Sequence, residues 1–211
     1  MKIPSIYRIL ALSAVCALSV YGIATIYYEG PPLPCEDSVD DLANSDAWLC
    51  GHNRVRALIS RGEWPSTSSS DCTDNNSCQP APIERLARVE WDDVLADHAE
   101  QWASHLASEC DGISHSGMPE NIATLTHKQR PSTIVQAWAR EANYFDFCDG
   151  SCTERCGHYR QIAEDDMTRV GCAVGSNDDC FAPGSGKWYF YVCNYNHGVA
   201  TLRPYDSDEC D

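Results

Sequence analysis

The chain has 211 residues, enough for one domain of ordinary size with short appendages and too few for two independent cores. Hydrophobic residues make up 43% and charged residues 22%, a globular balance that excludes a wholly disordered or fibrous chain. Fifteen Lys and Arg stand against 31 Asp and Glu, and the net charge of −16 repels phosphate backbones and anionic lipid headgroups, which argues against nucleic-acid binding.

Thirteen cysteines in so short a chain point away from a reducing compartment. The N-terminus agrees. Lys2 and Arg8 mark a charged start, 9–20 is an apolar run, and Gly22 and Ala24 put small residues at the −3 and −1 positions of a cut. Residues 1–24 therefore read as a secretory signal. Extending the run through Ile26-Tyr27-Tyr28 gives the rival reading, an uncleaved membrane anchor. Both place the rest of the chain on the oxidising side of a membrane. Val15 stands before Cys16, where a lipoprotein would want a small residue. Loss of Cys16 with the signal leaves an even dozen cysteines, as a disulfide framework requires. Cys148, Cys152 and Cys156 are spaced nearly as a zinc module would be, but an oxidising compartment competes for their thiolates.

Residues 25–46 are rich in Asp and Pro and form an acidic linker pinned by Cys35. The main domain is expected over 47–205, with an acidic tail over 206–211. A first helix over 48–60 carries Leu49, His52, Val55 and Ile59 at helical spacing and is stopped by Gly62 and Pro65. The Ser/Asp/Asn-rich stretch over 66–82 reads as a surface excursion clipped by Cys72 and Cys78. A second helix over 92–108 presents Leu95, Ala99, Trp102 and Leu106 to the core. A third begins near Ser132 as its N-cap and runs through Ile134, Val135, Trp138 and Ala142. Glu141 lies three residues after Trp138, so that helix aims a carboxylate toward its own buried side, where it needs a partner or a wet cleft; the alternative on spacing alone is a boundary residue that snorkels to solvent.

The last third is strand-like. Val170, Cys172 and Val174 alternate with small or polar residues, and 188–194 is an aromatic, β-prone run, so an antiparallel pair joined by a cysteine-containing connection is expected. Helices followed by a late sheet make the class α+β. There is no Gly-rich phosphate loop, no His-Glu-x-x-His motif and no G-x-S-x-G elbow.

Four segments in order carry a resemblance. His52-Asn53-Arg54-Val55-Arg56 matches an HNxxR opening, Pro119-Glu120-Asn121-Ile122 a [GP]EN[IL] segment, Gly157-His158-Tyr159-Arg160-Gln161 resembles GHYTQ, and Tyr191-Val192-Cys193-Asn194-Tyr195 resembles [FY]xxCNY. Together they resemble the CAP superfamily (SCP/TAPS), which includes cysteine-rich secretory proteins, antigen 5 and pathogenesis-related protein 1. The resemblance implies a three-layer α-β-α sandwich around a central, mainly antiparallel sheet, and a cleft tetrad of His115, Glu120, Glu141 and His158. His115 and His158 are a competent pair of ligands for Zn2+ or another divalent cation, with the glutamates orienting the imidazoles, and without metal the four would sit as His–Glu hydrogen-bonded pairs. It further implies disulfides Cys172 with Cys193 and Cys110 with Cys180, and a short local bridge from Cys156 to Cys148 or Cys152.

His52 belongs to a motif that resembles a structural one, and His98, His105, His127 and His197 match no site position of the family. Two stretches depart from its pattern. Ile162-Ala163-Glu164-Asp165-Asp166-Met167 brings three acids after Gln161, making the wall beside His158 more negative, and Asn196-His197-Gly198 replaces the usual ending after Tyr195.

The resemblance implies a secreted or membrane-tethered binding module for an extracellular lipid, sterol or protein. Membrane contact would come only through an uncleaved N-terminal segment. The alternative is a metal-assisted hydrolase using the same cleft, with Glu120 or Glu141 as base. Ser114 and Ser116 flank His115, but neighbours in sequence rarely face one another as nucleophile and base.

Overall fold

A computed structural model describes residues 34–65, 78–181 and 183–210. These belong to one unit, Pro32–Asp211. The signal or anchor over 1–24 and most of the Ser/Asp/Asn-rich stretch lie outside the described residues. No helix among the described residues is long and apolar enough to cross a membrane.

The elements, in order, are α1 (Ser45–Ile59), β1 (Glu90–Trp91), α2 (Asp93–Glu109), β2 (Glu120–Leu125), α3 (Pro131–Ala139), α4 (Gly157–Ala163), β3 (Arg169–Asp178) and β4 (Lys187–Tyr195). The sheet order is β1-β3-β4-β2, antiparallel except for the short β1–β3 pair. The long β3–β4 pair matches the two strands read from alternation; β1 and β2 are too short or too mixed in pattern to stand out.

Alternation along β4 divides the core. Phe190 and Val192 face α2, where they meet Ala99, Ala103 and Leu106. Tyr191, Cys193 and Tyr195 point to the other side, against Trp48 and Val55 of α1, Trp138 of α3 and Tyr159 of α4. One helix therefore covers one face and three cover the other, a three-layer α-β-α sandwich.

Two glycines let α2 lie directly on the sheet. A Cβ on Gly171 would fall on the backbone of Leu95 and Ala96, and one on Gly175 on the backbone of Ala103. Four residues apart on β3, both face the helix.

Helix starts follow local chemistry. Asn44 caps α1 by accepting from the Asp46 N–H, and Asp92 caps α2 by accepting from Val94 and Leu95. The third helix differs from expectation: it starts at Pro131, so Ser132 lies inside it and is not its N-cap. The residue in the cap position, Arg130, has no acceptor to offer, and the cap comes from a distant segment. Asp37 accepts from the Ser132 N–H at 2.8 Å and from its hydroxyl at 2.7 Å.

Disulfides tie the layers and flanks. Cys172–Cys193 links directly opposed residues of β3 and β4, and Cys110–Cys180 joins the end of α2 to the β3–β4 connection. Cys152 pairs with Cys156, while Cys148 pairs with Cys210 near the C-terminus. Cys35–Cys50 fastens the N-terminal flank to α1. Cys148, Cys152 and Cys156 are all disulfide-bonded and hold no thiolate for a zinc module.

Candidate functional site

The four residues of the expected tetrad form two His–Glu pairs. In the first, Glu120 opens β2 with a fully buried side chain. Its carboxylate accepts from the Ser116 N–H, from the Ser116 hydroxyl at 2.7 Å, from His115 Nδ1 at 3.1 Å and from Asn194 Nδ2 at 3.3 Å. Four donors account for a buried charge that would otherwise be costly. The His115 ring remains 63% exposed.

Glu141 anchors the second pair. The α-helix ends at Ala139, short of the expected Ala142, and Glu141 sits in a 3-10 turn over Arg140–Tyr144, where three residues make a turn and keep it on the side of Trp138. The tightened turn sends the carboxylate to α4. Its Oε2 accepts from the His158 N–H at 2.9 Å and its Oε1 from His158 Nδ1 at 2.8 Å. α4 has no side-chain cap from its own N-cap residue, so Glu141 caps that helix and orients the imidazole together. Trp138 lies beside the ring at 5.8 Å between centroids.

In both pairs Nδ1 is committed to a carboxylate. With Nδ1 protonated, Nε2 of each imidazole carries the free lone pair, as in carboxylate–histidine–metal arrangements. The tetrad does not close into a tighter cluster: among the described residues, the groups that bring three ligand atoms within 4.8 Å are His52 with Cys172 and Cys193, and Glu164 with Asp166 and His197. The first offers no thiolates, because its cysteines are bonded to each other.

The family model described as the cysteine-rich secretory protein family, CAP, matches residues 51–195. The chain belongs to the CAP family. Relatives include pathogenesis-related protein 1A of Nicotiana tabacum, 34% identical over 143 residues that span 66% of this chain and 80% of that one. The mouse (Mus musculus) GLIPR1-like protein 1 is 27% identical over 198 residues, 86% of this chain and 72% of that one. For the basic form of pathogenesis-related protein 1 from Nicotiana tabacum, at 33% identity, the match spans 51% of this chain and 58% of the relative. Among solved structures, Schistosoma mansoni venom allergen-like protein 4 superposes with a TM-score of 0.56 at 21% identity, over 78% of this chain and 95% of that one. NaASP2, solved with Zn2+, gives 0.52 at 18% identity, over 78% and 86%. These likenesses show the fold.

Within this CAP domain His52 is structural in its contacts. It is fully buried, with Nδ1 at 2.9 Å from the Trp48 carbonyl and Nε2 at 3.1 Å from the Tyr195 hydroxyl, and burial pushes its imidazole down to about 4. Arg56, from the same HNxxR segment, is also buried and donates to the carbonyls of Ala87, Ile162 and Glu164. His98 and His105 lie exposed on α2. The acids after Gln161 sit at the end of α4 away from His158, and Glu164 among them is buried. Sequence reasoning missed that burial. The available signal was Ala163 and Met167 on either side of Glu164, both fully buried.

Proposed function

We propose that this CAP domain is an extracytoplasmic binding module whose ligand, a lipid, sterol or protein, is met at a cleft formed by His115, Glu120, Glu141 and His158, and that this cleft takes a divalent cation. The observation that carries the reading is the shared engagement of both imidazoles through Nδ1, which leaves two Nε2 atoms as ligands of the kind Zn2+ uses. The exposed ring of His115 supports access from solvent. The disulfide set and the family's description as secretory support an oxidising location. When bound, the ion would supply a Lewis-acidic point for an anionic or carbonyl group of the ligand, and the two glutamates would keep the imidazoles in the binding tautomer.

Each carboxylate oxygen of Glu120 and Glu141 accepts a hydrogen bond from its histidine or the backbone and side chains beside it, which supports a role for both glutamates in orienting the imidazoles.

Zn2+ titration of the purified chain by calorimetry, with His115→Ala and His158→Ala beside it, tests the cation. Each replacement should weaken Zn2+ binding at least tenfold and leave the far-ultraviolet spectrum unchanged. Binding unaffected by both would remove the tetrad as a metal site. Sterol and fatty-acid binding, measured with and without chelator, tests the ligand class; no uptake under either condition would leave a protein ligand as the surviving reading.

A further inference from the structure

The two stretches that depart from the family pattern meet in space. Glu164 follows the last residue of α4, Asp166 comes two residues later, and His197 lies just beyond β4. One ligand atom from each of the three lies within 4.8 Å of the other two. The backbone around them is pinned: Gln161 Nε2 donates to the His197 carbonyl at 2.7 Å, and Asn196 Oδ1 accepts from the Thr168 and Arg169 N–H groups at 3.0 and 2.8 Å.

This cluster is incomplete as a hydrogen-bonded unit. Glu164 is 4% exposed, and both its Oε2 and His197 Nδ1 are buried without a hydrogen-bond partner among the described residues. Glu164 Oε1 and His197 Nδ1 stand 3.5 Å apart, too far for a good hydrogen bond. Arg56 attracts the Glu164 charge without bonding its carboxylate. Its guanidinium donates to backbone carbonyls, and no ion pair among the described residues joins it to the Glu164 carboxylate. Burial first, then Asp165, push the Glu164 carboxyl up to about 7 against the opposing pull of His197 and Arg56.

We propose that Glu164, Asp166 and His197 form a second divalent-metal site, of the Zn2+ class, independent of the two His–Glu pairs. Ligands of one zinc, at bonds of about 2.0–2.2 Å, lie roughly 3–4 Å from each other, so the three side chains close on an ion with small rotations. Two carboxylates and one imidazole suit Zn2+ or Mn2+; Ca2+ asks for six to eight oxygens. Asp166 is exposed, which gives the ion an entry path and leaves room for water at a fourth position. The ion would satisfy the orphaned Oε2 and Nδ1 and tie the end of α4 to the segment after β4. His158 lies in the first turn of α4 and Glu164 just past its last residue, with about 8 Å of helix rise between them, so the two sites do not share an ion.

The test uses the full disulfide-bonded chain with His115 and His158 both replaced by Ala, titrated with ZnCl2 by calorimetry. This variant should still bind one Zn2+ and gain thermal stability from it. Glu164→Gln, which keeps the buried shape, and Asp166→Asn, at an exposed position, should each weaken that binding at least tenfold. Absence of Zn2+ binding in the folded double-alanine variant, or binding that both further replacements leave within twofold, overturns the site. Should the double-alanine variant fail to fold, crystals of the natural chain soaked in ZnCl2 decide: an anomalous peak between Glu164 and His197 supports the proposal, and a peak at His115 and His158 alone overturns it.

Discussion

Asn121 Nδ2 donates to the backbone carbonyl of His158 at 3.1 Å, coupling the strand that carries Glu120 to the helix that carries His158. Asn121 is 1% exposed, so water does not readily replace the bond. The two His–Glu pairs are thereby held in one register, although each is closed by its own glutamate. The His158 carbonyl keeps its place in the α4 hydrogen-bond ladder, so Asn121→Ala removes the link between strand and helix alone and should cost about 0.5–1.5 kcal/mol, read as a lower urea midpoint. An unchanged midpoint would show that the coupling bond contributes nothing.

The seating of α2 on β3 makes a sharper prediction. Gly171→Ala and Gly175→Ala drive a methyl group into helix backbone, which cannot give way as a flexible side chain could, and each should cost more than about 3 kcal/mol or prevent folding. Gly157, at the start of α4, has open space where a Cβ would stand, so Gly157→Ala should change stability by no more than about 0.5 kcal/mol. Equal effects at the three positions would refute the close helix–sheet approach.

Acid should destabilise the domain through His52. Its imidazole is held down to about 4 in the fold by burial, against an ordinary value of 6.5. Between those values the unfolded chain takes up a proton that the folded one refuses, so stability is full above pH 6.5 and falls as the pH drops toward 4. The loss amounts to about 3 kcal/mol. Glu164 acts the other way: its raised carboxyl contributes stability below its unfolded value of 4.5 that is lost as pH rises through about 7. His52→Gln should flatten the acid limb in denaturant titrations run at stepped pH with chelator present. A limb of unchanged slope would rule His52 out as its source.

Disulfide removal should scale with the loop each bridge closes. Cys148–Cys210 spans a sequence separation of 62, and Cys152–Cys156 one of 4. Loop-closure entropy puts the first at roughly 4 kcal/mol and the second at roughly 2. Paired Cys→Ser variants, compared by thermal denaturation, should follow that order. The reverse order would mean that native contacts, and not chain entropy, dominate.

Much of the fold was legible because it is written in local periodicity. Leu95, Ala99 and Leu106 recur at helical spacing, and the β3 and β4 residues alternate, so a chain buried on one face shows its secondary structure in its own pattern. That His115, Glu120, Glu141 and His158 are to be weighed together was likewise readable, as what a resemblance carried by motifs in order along the chain implies. Which carboxylate meets which imidazole was not, because that depends on where α3 gives way to a 3-10 turn and on Glu141 capping a helix that begins well after it in sequence. The same holds for Asp37 at the start of α3, for Cys210 as the partner of Cys148, and for the meeting of Glu164 and Asp166 with His197. Each joins segments far apart in the chain, and such contacts are chosen by how the layers pack, since the short-range backbone preferences that a sequence displays carry no information about a partner many residues away.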